Sequence, residues 1–450
     1  MAKPVILFGR DARRIFRTVA AGVAVLAVAG CATYGNSIAV VERDLAARQP
    51  EQALQHLQKL QVPNTDKALY LLNEGMVLHV AGKWQDSNAA FEAAQRLMDE
   101  LSAVSVREQG TSLLVNDLTR SYEGEGYDKL MLHVYKALNY LALQQPFEAR
   151  VEALQMDVVL RSLAEKAGKR DPELGFARYL TGMIYEDVGE WSDAMIAYRK
   201  AYEAYQRHRR DYGVAVPESL KRDLLRLARK EGLNDELEKY QKEFAVKADV
   251  DPASTESDGA RGELILVFNN GLAPFKIQQG AILPDPASGR MFRISLPSFQ
   301  TRPPQIAEAR LSVNEQTIST EVVEDINAVA LADLNAQMPA ITARSLARIV
   351  AKTKMEEQAG KDNPVAGALL NIAAVLTEEA DTRSWSTLPY NIQLARLPLA
   401  PGRYSLKIEL LDAGQRVVAT RTLTDIDIRP EHKTFVSYHW NTTSPTGARR

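Results

Sequence analysis

The stretch GMIYEDVGEWSDAMIAYRKA, residues 182–201, decides how the first half of this chain folds. Gly182 is followed by Gly189-Glu190-Trp191 and then by Ala194, Tyr198 and Ala201. The stretch GMVLHVAGKWQDSNAAFEAA, residues 75–94, repeats this spacing. Tetratricopeptide helix pairs show the same pattern, because a small residue lies where two helices touch and an aromatic ring fills the space opposite it. Both stretches therefore predict a tetratricopeptide-like pair of helices.

Two weaker copies and a closing pair extend this array. VERDLAARQPEQALQHLQKL, residues 41–60, begins 34 residues before the copy at 75–94, which is the tetratricopeptide period. YKALNYLALQQPFEARVEAL, residues 135–154, places alanines at the small positions, and residues 217–244 form a last amphipathic pair. We predict a helical-repeat solenoid over residues 31–246. An irregular helical bundle is the alternative.

The hydrophobic period changes after KADVDPASTESDGARG, residues 247–262, which has the composition of a linker. Residues 263–440 contain short runs with a period of two, separated by Pro and Gly turns, and these predict a β-sandwich-like domain. The segments SLARIVAKTKMEEQA and GALLNIAAVLTEEA predict a helical insertion at about 324–382. Residues 441–450 are interpreted as a flexible tail. The predicted fold class is a multidomain α + β protein, with the helical solenoid first.

The N-terminal segment has the order of parts found in a bacterial export signal. Four arginines between residues 10 and 17 precede an uncharged run from Thr18 to Gly30, which is too short to span a bilayer. Val28-Ala29-Gly30-Cys31 then resembles a lipobox, so we predict cleavage after Gly30 and attachment of diacylglycerol and an N-acyl chain to Cys31. Cys31 is the one cysteine of the sequence. The alternatives are a buried or free thiol and, for the export route, a twin-arginine signal.

Charge and composition exclude a nucleic-acid-binding function. Removal of residues 1–30 leaves 50 basic residues (55 minus 5) and 56 acidic residues (57 minus 1), a net charge near −6. A nucleic-acid-binding domain is expected to carry a basic excess on one face. The 46% hydrophobic content indicates ordinary globular domains.

Sequence motifs for catalysis are absent. The six histidines are scattered and form no metal-spaced pair, and the chain has no HExxH, GxSxG, Walker or dinucleotide-binding pattern. Glu123, Glu125 and Asp128 in SYEGEGYD could hold a cation or act as acid and base, but they satisfy no spacing rule and are interpreted as a solvated loop. We therefore predict no enzyme, no metal site and no cofactor beyond the covalent lipid.

Repeat solenoids present an inner groove built from the first helix of each pair, and the two clear copies predict its residues. These are Leu69, Leu72, Met76, His79, Phe176, Tyr179, Met183 and Glu186. An apolar groove with some aromatic side chains suits a partner helix or an extended peptide. The alternative is that another part of this protein, such as the helical insertion, fills the groove.

The chain also resembles a family of Gram-negative outer-membrane lipoproteins that combine tetratricopeptide-like repeats with a C-terminal β domain. The resemblance rests on the lipobox, on LVNDLTRSYEGEGYDKLMLHVYKALNYLAL followed by FEARVEA, and on ADTRSWSTLPYNIQLARLPLAPGRYSL. It implies a role in the cell envelope, in peptidoglycan synthesis or in an outer-membrane complex, together with a second lipoprotein similar to activators of penicillin-binding proteins. It implies no catalytic residues. The Asp381 and Arg383 pair beside Trp385 is expected to lock the edge of the sandwich.

The sequence thus predicts a protein–protein interaction scaffold, anchored by lipid to the outer membrane and facing the periplasm, whose partners are other envelope proteins. In Gram-negative lipoproteins a residue other than Asp after the cysteine, here Ala32, implies sorting to the outer membrane. Two alternatives are an assembly factor for outer-membrane barrels or pili and a cell-wall hydrolase. The oligomeric state is left open.

Overall fold

A computed structural model describes residues 34–108, 120–167, 173–245, 261–284, 291–362, 371 and 379–443. The first part of this chain is helical and the later part consists mainly of strands, so the predicted α + β class is confirmed. The signal segment and Cys31 lie outside the described residues, as do residues 247–260 of the predicted linker.

In the described residues of the first half, ten α-helices form five consecutive antiparallel pairs. Their bounds are α1 (Tyr34–Ala46), α2 (Pro50–Gln58), α3 (Lys67–Val80), α4 (Trp84–Glu108), α5 (Gly126–Ala142), α6 (Pro146–Ala167), α7 (Gly175–Asp187), α8 (Trp191–Tyr212), α9 (Glu218–Lys230) and α10 (Asn234–Glu243). Each of the five repeat segments read from the sequence falls on one pair.

The small and large residues of the two clear repeats contact each other as their spacing predicts. A Cβ atom added to Gly75 would lie 2.5 Å from the ring of Phe91, and one added to Gly182 would overlap the ring of Tyr198. Ser87 Oγ also donates to the Gly75 carbonyl at 2.7 Å. These glycines allow the aromatic ring of the second helix to pack directly on the backbone of the first helix.

All five pairs turn in the same way. A residue with positive φ occupies the same turn position in each pair: Arg48, Gly82, Gln144, Gly189 and Gly232. The amide of that residue donates to the carbonyl three positions earlier, and the next amide donates to the carbonyl five positions earlier. The hydrogen bonds satisfy carbonyls at the end of the first helix and reverse the chain in a short turn.

Among the residues that the structure describes, the second half forms three sheets. The strands are β1 (Gly262–Asn270), β2 (Phe275–Pro284), β3 (Met291–Gln300), β4 (Glu308–Val313), β5 (Gln316–Ser319), β6 (Glu321–Asp325), β7 (Asn391–Leu399), β8 (Gly402–Leu411), β9 (Val417–Ile428) and β10 (Lys433–Trp440). One sheet has the order β10-β1-β7-β6, a second has the order β5-β4-β8-β9, and β2 pairs with β3. β1 and β10 are parallel, whereas the other pairs are antiparallel.

The sheet β10-β1-β7-β6 is the middle layer of the molecule. Leu264, Leu266 and Phe268 of β1 share a hydrophobic core with β4 and β8 of the second sheet. Ile265 and Val267, on the opposite face of β1, belong to the core of the helical half. Because both faces are covered, the central strand reads ELILVF rather than alternating between apolar and polar residues.

The region between β6 and β7 contains a helix within the bounds predicted for the helical insertion, but this helix is longer than the segment that predicted it. α11 (Ile326–Asp362) begins directly after β6 and continues through Pro339, so SLARIVAKTKMEEQA lies within one long helix. Most of the second predicted helix lies outside the described residues. At the C-terminal end, Asn441 is buried and Thr443 bridges to Pro304, so ordered structure extends into the segment predicted as a tail.

Candidate functional site

The eight residues predicted to line the inner groove are all buried. Leu69, Leu72, Met76, Phe176, Tyr179 and Met183 have no exposed surface, while His79 and Glu186 are 3% and 5% exposed. They lie on α3 and α7, the first helices of the second and fourth pairs. The structure therefore brings them to the inner face, but that face is covered.

The β half of the same chain covers this face and contacts the first helix of all five pairs. On α1, Glu42 forms an ion pair with Arg302 at 2.9 Å and accepts a hydrogen bond from Ser386 Oγ. On α3, Asn73 Oδ1 accepts from Thr387 Oγ1 at 2.8 Å. The contacts are polar and specific, so they fix how the two halves lie against each other.

Arg383 and Trp385 bind the two halves together rather than locking a sheet edge. Arg383 pairs with Asp381 at 2.7 Å and with Asp66, which precedes α3, at 3.0 Å. The Trp385 ring packs edge-on against Phe91 and Tyr135. The expected role at a sandwich edge is corrected here, because Asp66 and both aromatic partners of Trp385 come from the helical half.

Arg396 of β7 is the centre of a buried ion network at α7 and α9. Its guanidinium pairs with Glu263 at 2.7 Å and with Asp223, and it donates to Tyr179 Oη at 2.5 Å. Both Arg396 and Asp223 are more than nine-tenths buried. Charges can be buried in this way when they are paired and hydrogen-bonded.

Glu186 of α7 is held in its charged form by neighbouring cations. It lies 2.9 Å from Lys433 of β10 and 2.7 Å from Arg226 of α9. Burial raises the pKa of Glu186, but Lys433 and Arg226 outweigh burial and hold the pKa well below its usual range. This position, predicted for a partner, therefore binds a strand of the same chain.

Two carboxylates of β6 bind the N-terminal ends of two helices. Glu324 accepts a hydrogen bond from the amide of Phe176 in α7, and Glu321 accepts from the amides of Glu218 and Ser219 in α9. The first amides of a helix have no partner within the helix and attract negative charge. Here a strand supplies that partner, so the second half of the chain caps helices of the first half.

The sequence left open whether a foreign peptide or the protein itself fills the groove. The contacts above show that the β half of the same chain packs against the residues predicted to line it. Strands β1, β6, β7 and β10 and the 380–388 segment supply the contacts described above, and the first turns of the helical insertion add Ile326, Val329 and Ala330 to the same hydrophobic core. Sequence reasoning missed these partners. The usable signal was the presence of charged residues such as Arg396 within otherwise apolar strands.

One polar cluster at this interface has the order of a nucleophile, a base and an orienting group. Ser437 Oγ lies 3.1 Å from His79 Nε2, and His79 Nδ1 lies 2.6 Å from Asn139 Oδ1. Burial lowers the pKa of His79 to about 4. Ser437 Oγ also accepts from Asn269 Nδ2 at 3.1 Å. A general base works best with a pKa near the working pH, so these residues are better suited to joining the two halves than to hydrolysis.

The acidic loop SYEGEGYD is structural rather than solvated, which corrects the sequence-based interpretation. Glu125 and Asp128 form a capping box at the start of α5. Asp128 is fully buried, and burial raises its pKa to about 7. Glu125 also pairs with Lys276 of β2 at 2.6 Å. Asp128 and Glu125 thus act as a helix cap and as an interdomain ion pair.

A polar cavity of about 230 Å³ borders this loop. Basic and acidic side chains line it together, and several of them pair with each other, including Lys276 with Glu125 and Arg383 with Asp381. Within the described part of the chain no group of acidic, histidine or cysteine side chains could hold a metal ion. No helix in those same residues is long and apolar enough to cross a membrane.

The outer face of α6 carries exposed apolar side chains that the sequence analysis did not select. Phe147, Val151, Leu154 and Val158 are 70%, 46%, 41% and 56% exposed. We call these four residues the α6 stripe. They follow one another by four, three and four positions, so they lie on one face of the helix. No other described helix or strand carries more than two exposed large apolar residues.

The equivalent outer positions of neighbouring second helices are more polar. Counted from the start of each helix, the positions of the α6 stripe correspond to Gln85, Ala89, Glu92 and Arg96 in α4 and to Ser192, Ile196, Arg199 and Glu203 in α8. The inner face of α6 has its own buried residues, including Ala153 and Met156. The α6 helix is therefore apolar on two faces, and the outer one has no covering element among the described residues.

Comparison with known proteins adds little to this picture. No family model and no curated protein matches the chain. Among solved structures, MamA from Desulfovibrio magneticus RS-1 is 16% identical over 46% of this chain and 92% of that chain, with a TM-score of 0.28. The apo form of RapI is 12% identical over 54% and 61%, with a TM-score of 0.36. Mycobacterium tuberculosis EmbR, bound to a low-affinity phosphopeptide, is 17% identical over 52% and 53%, with a TM-score of 0.23.

Proposed function

We propose that this protein is a lipid-anchored scaffold of the periplasmic face of the outer membrane, built from a tetratricopeptide-like solenoid closed by a β-sandwich-like domain. Five helix pairs with one shared turn geometry and the Gly75–Phe91 contact support the solenoid interpretation. Two four-stranded sheets around one apolar core support the sandwich interpretation. The scaffold would act in envelope biogenesis, in peptidoglycan synthesis or in an outer-membrane complex.

The observation that carries this proposal is the α6 stripe. The inner face, where a solenoid could bind a partner, is filled by ion pairs and strands of the same chain. The α6 stripe instead exposes four large apolar side chains between more polar neighbours. Contiguous exposed apolar residues rimmed by polar ones are typical of protein interaction sites. The scaffold therefore binds through its outer surface.

The proposed lipid would hold the helical half close to the membrane. Cys31 is three positions before Tyr34, where α1 begins with a buried side chain. Three extended residues span at most about 11 Å. Labelled palmitate should enter the wild-type protein but not Cys31→Ala, and the protein should fractionate with the outer membrane. Inner-membrane fractionation would contradict the sorting expected from Ala32.

The interaction surface can be tested by placing a photo-reactive amino acid at Val158 in the full chain in cells. We expect protein adducts from Val158 and at least ten-fold fewer from Arg96, the matched position of α4. Mass spectrometry of the adducts would separate a peptidoglycan-synthesis scaffold from an assembly factor for barrels or pili. Equal adduct yields at the two positions would remove the support that the α6 stripe gives to a scaffold.

The Ser437, His79 and Asn139 cluster is the observation that favours a hydrolase as the alternative. Fluorophosphonates label serine hydroxyls that are activated by a base and accessible to a substrate. The scaffold proposal expects no labelling of Ser437, because the pKa of His79 is low and the hydroxyl already accepts a hydrogen bond from Asn269 Nδ2. Labelling that is lost in both Ser437→Ala and His79→Ala would favour the hydrolase.

A further inference from the structure

The spacing of the α6 stripe is that of a seam between two helices. Successive residues are four, three and four positions apart, which is the alternation of a and d positions in a heptad. Phe147 and Leu154 take d positions, and Val151 and Val158 take a positions. The first and last residues of the stripe are eleven positions apart, about 16 Å along the helix. A surface of this shape is suited to one other helix packed lengthwise against it.

We propose that the α6 stripe binds the α6 stripe of a second copy of this chain in antiparallel orientation. This inference rests on the proposed function, because it names the partner of the same surface. In an antiparallel seam each a position faces a d position of the other helix. Phe147 then faces Val158 of the second copy, and Val151 faces Leu154. All four apolar residues find apolar partners in this one register, and the two-fold axis repeats each contact twice.

The charges beside the stripe agree with this orientation. In an antiparallel pair the g positions of the two helices face each other along one side of the seam, and here they place Arg150 near Asp157 of the second copy in two symmetric contacts. Within its own chain Arg150 pairs with Glu190 at 2.7 Å, and Asp157 pairs with Arg178. Their side chains remain 33% and 28% exposed, so the contact across the seam would add to these pairs. The e positions bring Glu148 near the uncharged Gln155. No like charges face each other.

A lipid surface is a poorer occupant of the α6 stripe. Helices that bind membranes carry Lys and Arg along the border of their apolar face. The exposed residues beside the α6 stripe include Glu148 and Glu165 as well as Arg161, so the border is mixed in charge. The stripe alone is smaller than the roughly 800 Å² per partner of a stable complex. Self-association should therefore be weak in solution and strengthened when two copies are confined to one membrane.

Cysteine cross-linking in cells tests both the contact and its direction. Two differently tagged full-length copies are co-expressed, one with Phe147→Cys and the other with Val158→Cys, and a mild oxidant is added. We expect a disulfide between the two tags at a yield at least ten-fold above that of either variant with itself. In the antiparallel register the two copies of position 147, and likewise the two copies of position 158, are about 16 Å apart along the helices. This distance is beyond the reach of a disulfide.

Matched controls define the other outcomes. Gln85→Cys with Arg96→Cys on α4 measures random collision, and the unmodified chain measures any contribution of Cys31. Adding Val151→Glu to both copies should reduce the disulfide at least ten-fold while the melting temperature stays within about 2 °C, because Val151 is exposed.

Several results would overturn the inference. These are self-linking of Phe147→Cys equal to mixed linking, no linking above the α4 control, or linking unaffected by Val151→Glu. If photo-adducts at Val158 contain only other proteins, the second copy is not the occupant, while the scaffold proposal stands. If the protein lacks lipid but the specific disulfide forms, the anchor proposal fails and self-association stands.

Discussion

The inner face of the helical half and the outer face of α6 reverse the usual distribution of side chains. Inside, charged groups such as Glu186, Asp223 and Arg396 are buried, whereas outside, Phe147 and Val158 are more than half exposed. Partners from the β half form ion pairs and hydrogen bonds with the inner charges, and these interactions offset the free-energy cost of removing the charges from water. The outer apolar residues have no such partner among the described residues. The contrast separates a surface that this chain completes by itself from one that we propose a second chain completes.

The buried ion pairs give the two halves a specific arrangement more than they give stability. Replacing paired buried charges with apolar residues is often neutral, whereas removing one partner costs about 3–5 kcal/mol. The pairs Glu42 with Arg302, Asp66 with Arg383 and Glu186 with Lys433 lie along the array from its first to its fourth helix pair. Any displacement of the β half along the groove would separate all of these charges, so one position is strongly favoured.

The largest expected effect comes from breaking the inner face. Tyr179→Ala with Met183→Ala removes two fully buried side chains and the hydrogen bond of Tyr179 with Arg396. We expect a loss of about 5 kcal/mol or more in the free energy of unfolding, measured with urea. The matched outer pair, Val151→Ala with Val158→Ala, should change this free energy by less than about 1 kcal/mol.

Similar losses for these two double variants would contradict the comparison of inner and outer faces. A small loss for the inner pair would show that the β half does not close the groove in solution. A large loss for the outer pair would show that the α6 stripe is covered within the folded protein, which would also remove it as a docking surface.

A second effect concerns the titration of Glu324, which lies at the contact of β6 with α7. Burial raises the pKa of Glu324 to about 8, although the Phe176 amide opposes this shift. The folded state thus binds this proton more tightly than the unfolded state, where the pKa is near 4.5. The resulting stability is fully present below about pH 4.5 and is lost as the pH rises through about 8.

Glu324→Gln removes this titration and keeps an oxygen that can accept from the Phe176 amide. Between pH 5 and pH 9 the wild-type protein should lose about 2 kcal/mol or more of unfolding free energy relative to Glu324→Gln. The exposed Glu148→Gln is the matched variant on α6 and should follow the wild-type curve. If the unfolding free energies of Glu324→Gln and the wild-type protein change in parallel between pH 5 and pH 9, Glu324 is ionised in the folded interface over this whole range.

The helix pairs could be predicted from the sequence because their information is local. The Gly75 to Phe91 spacing, the turn residues and the helical period all lie within one repeat, and the strand runs likewise carry their own period. The β10 prediction, residues 433–440, coincides with the strand. The single helix through Pro339 was missed because a proline inside a helix usually marks an end.

The closure of the groove could not be predicted, since it depends on pairs that lie far apart in the chain. Glu42 and Arg302 are 260 positions apart, and nothing near either residue indicates the other. The same reasoning explains why SYEGEGYD was interpreted as solvated, because Lys276 reaches Glu125 only in the folded chain. The apolar residues of the α6 stripe can be read from the sequence. The sequence does not show whether they are exposed or form a second buried face of the helix, because this depends on how the helix packs.

The smallest expected effect lies at the turn that joins the inner helix α5 to the outer helix α6. Gln144 holds φ at 58°, a conformation in which three of the other four turns use Gly. A residue with a Cβ atom loses roughly 1–2 kcal/mol in this region, whereas Gly loses more chain entropy on folding. Because the Gln144 side chain is exposed, Gln144→Gly should stabilise the protein by about 0.5–1 kcal/mol in urea unfolding. Gly189→Ala, the reverse change at the matched turn, should destabilise it by a similar amount. A destabilising Gln144→Gly would mean that this turn departs from the geometry of the other four, and the direction in which α6 presents its stripe would then have to be determined independently.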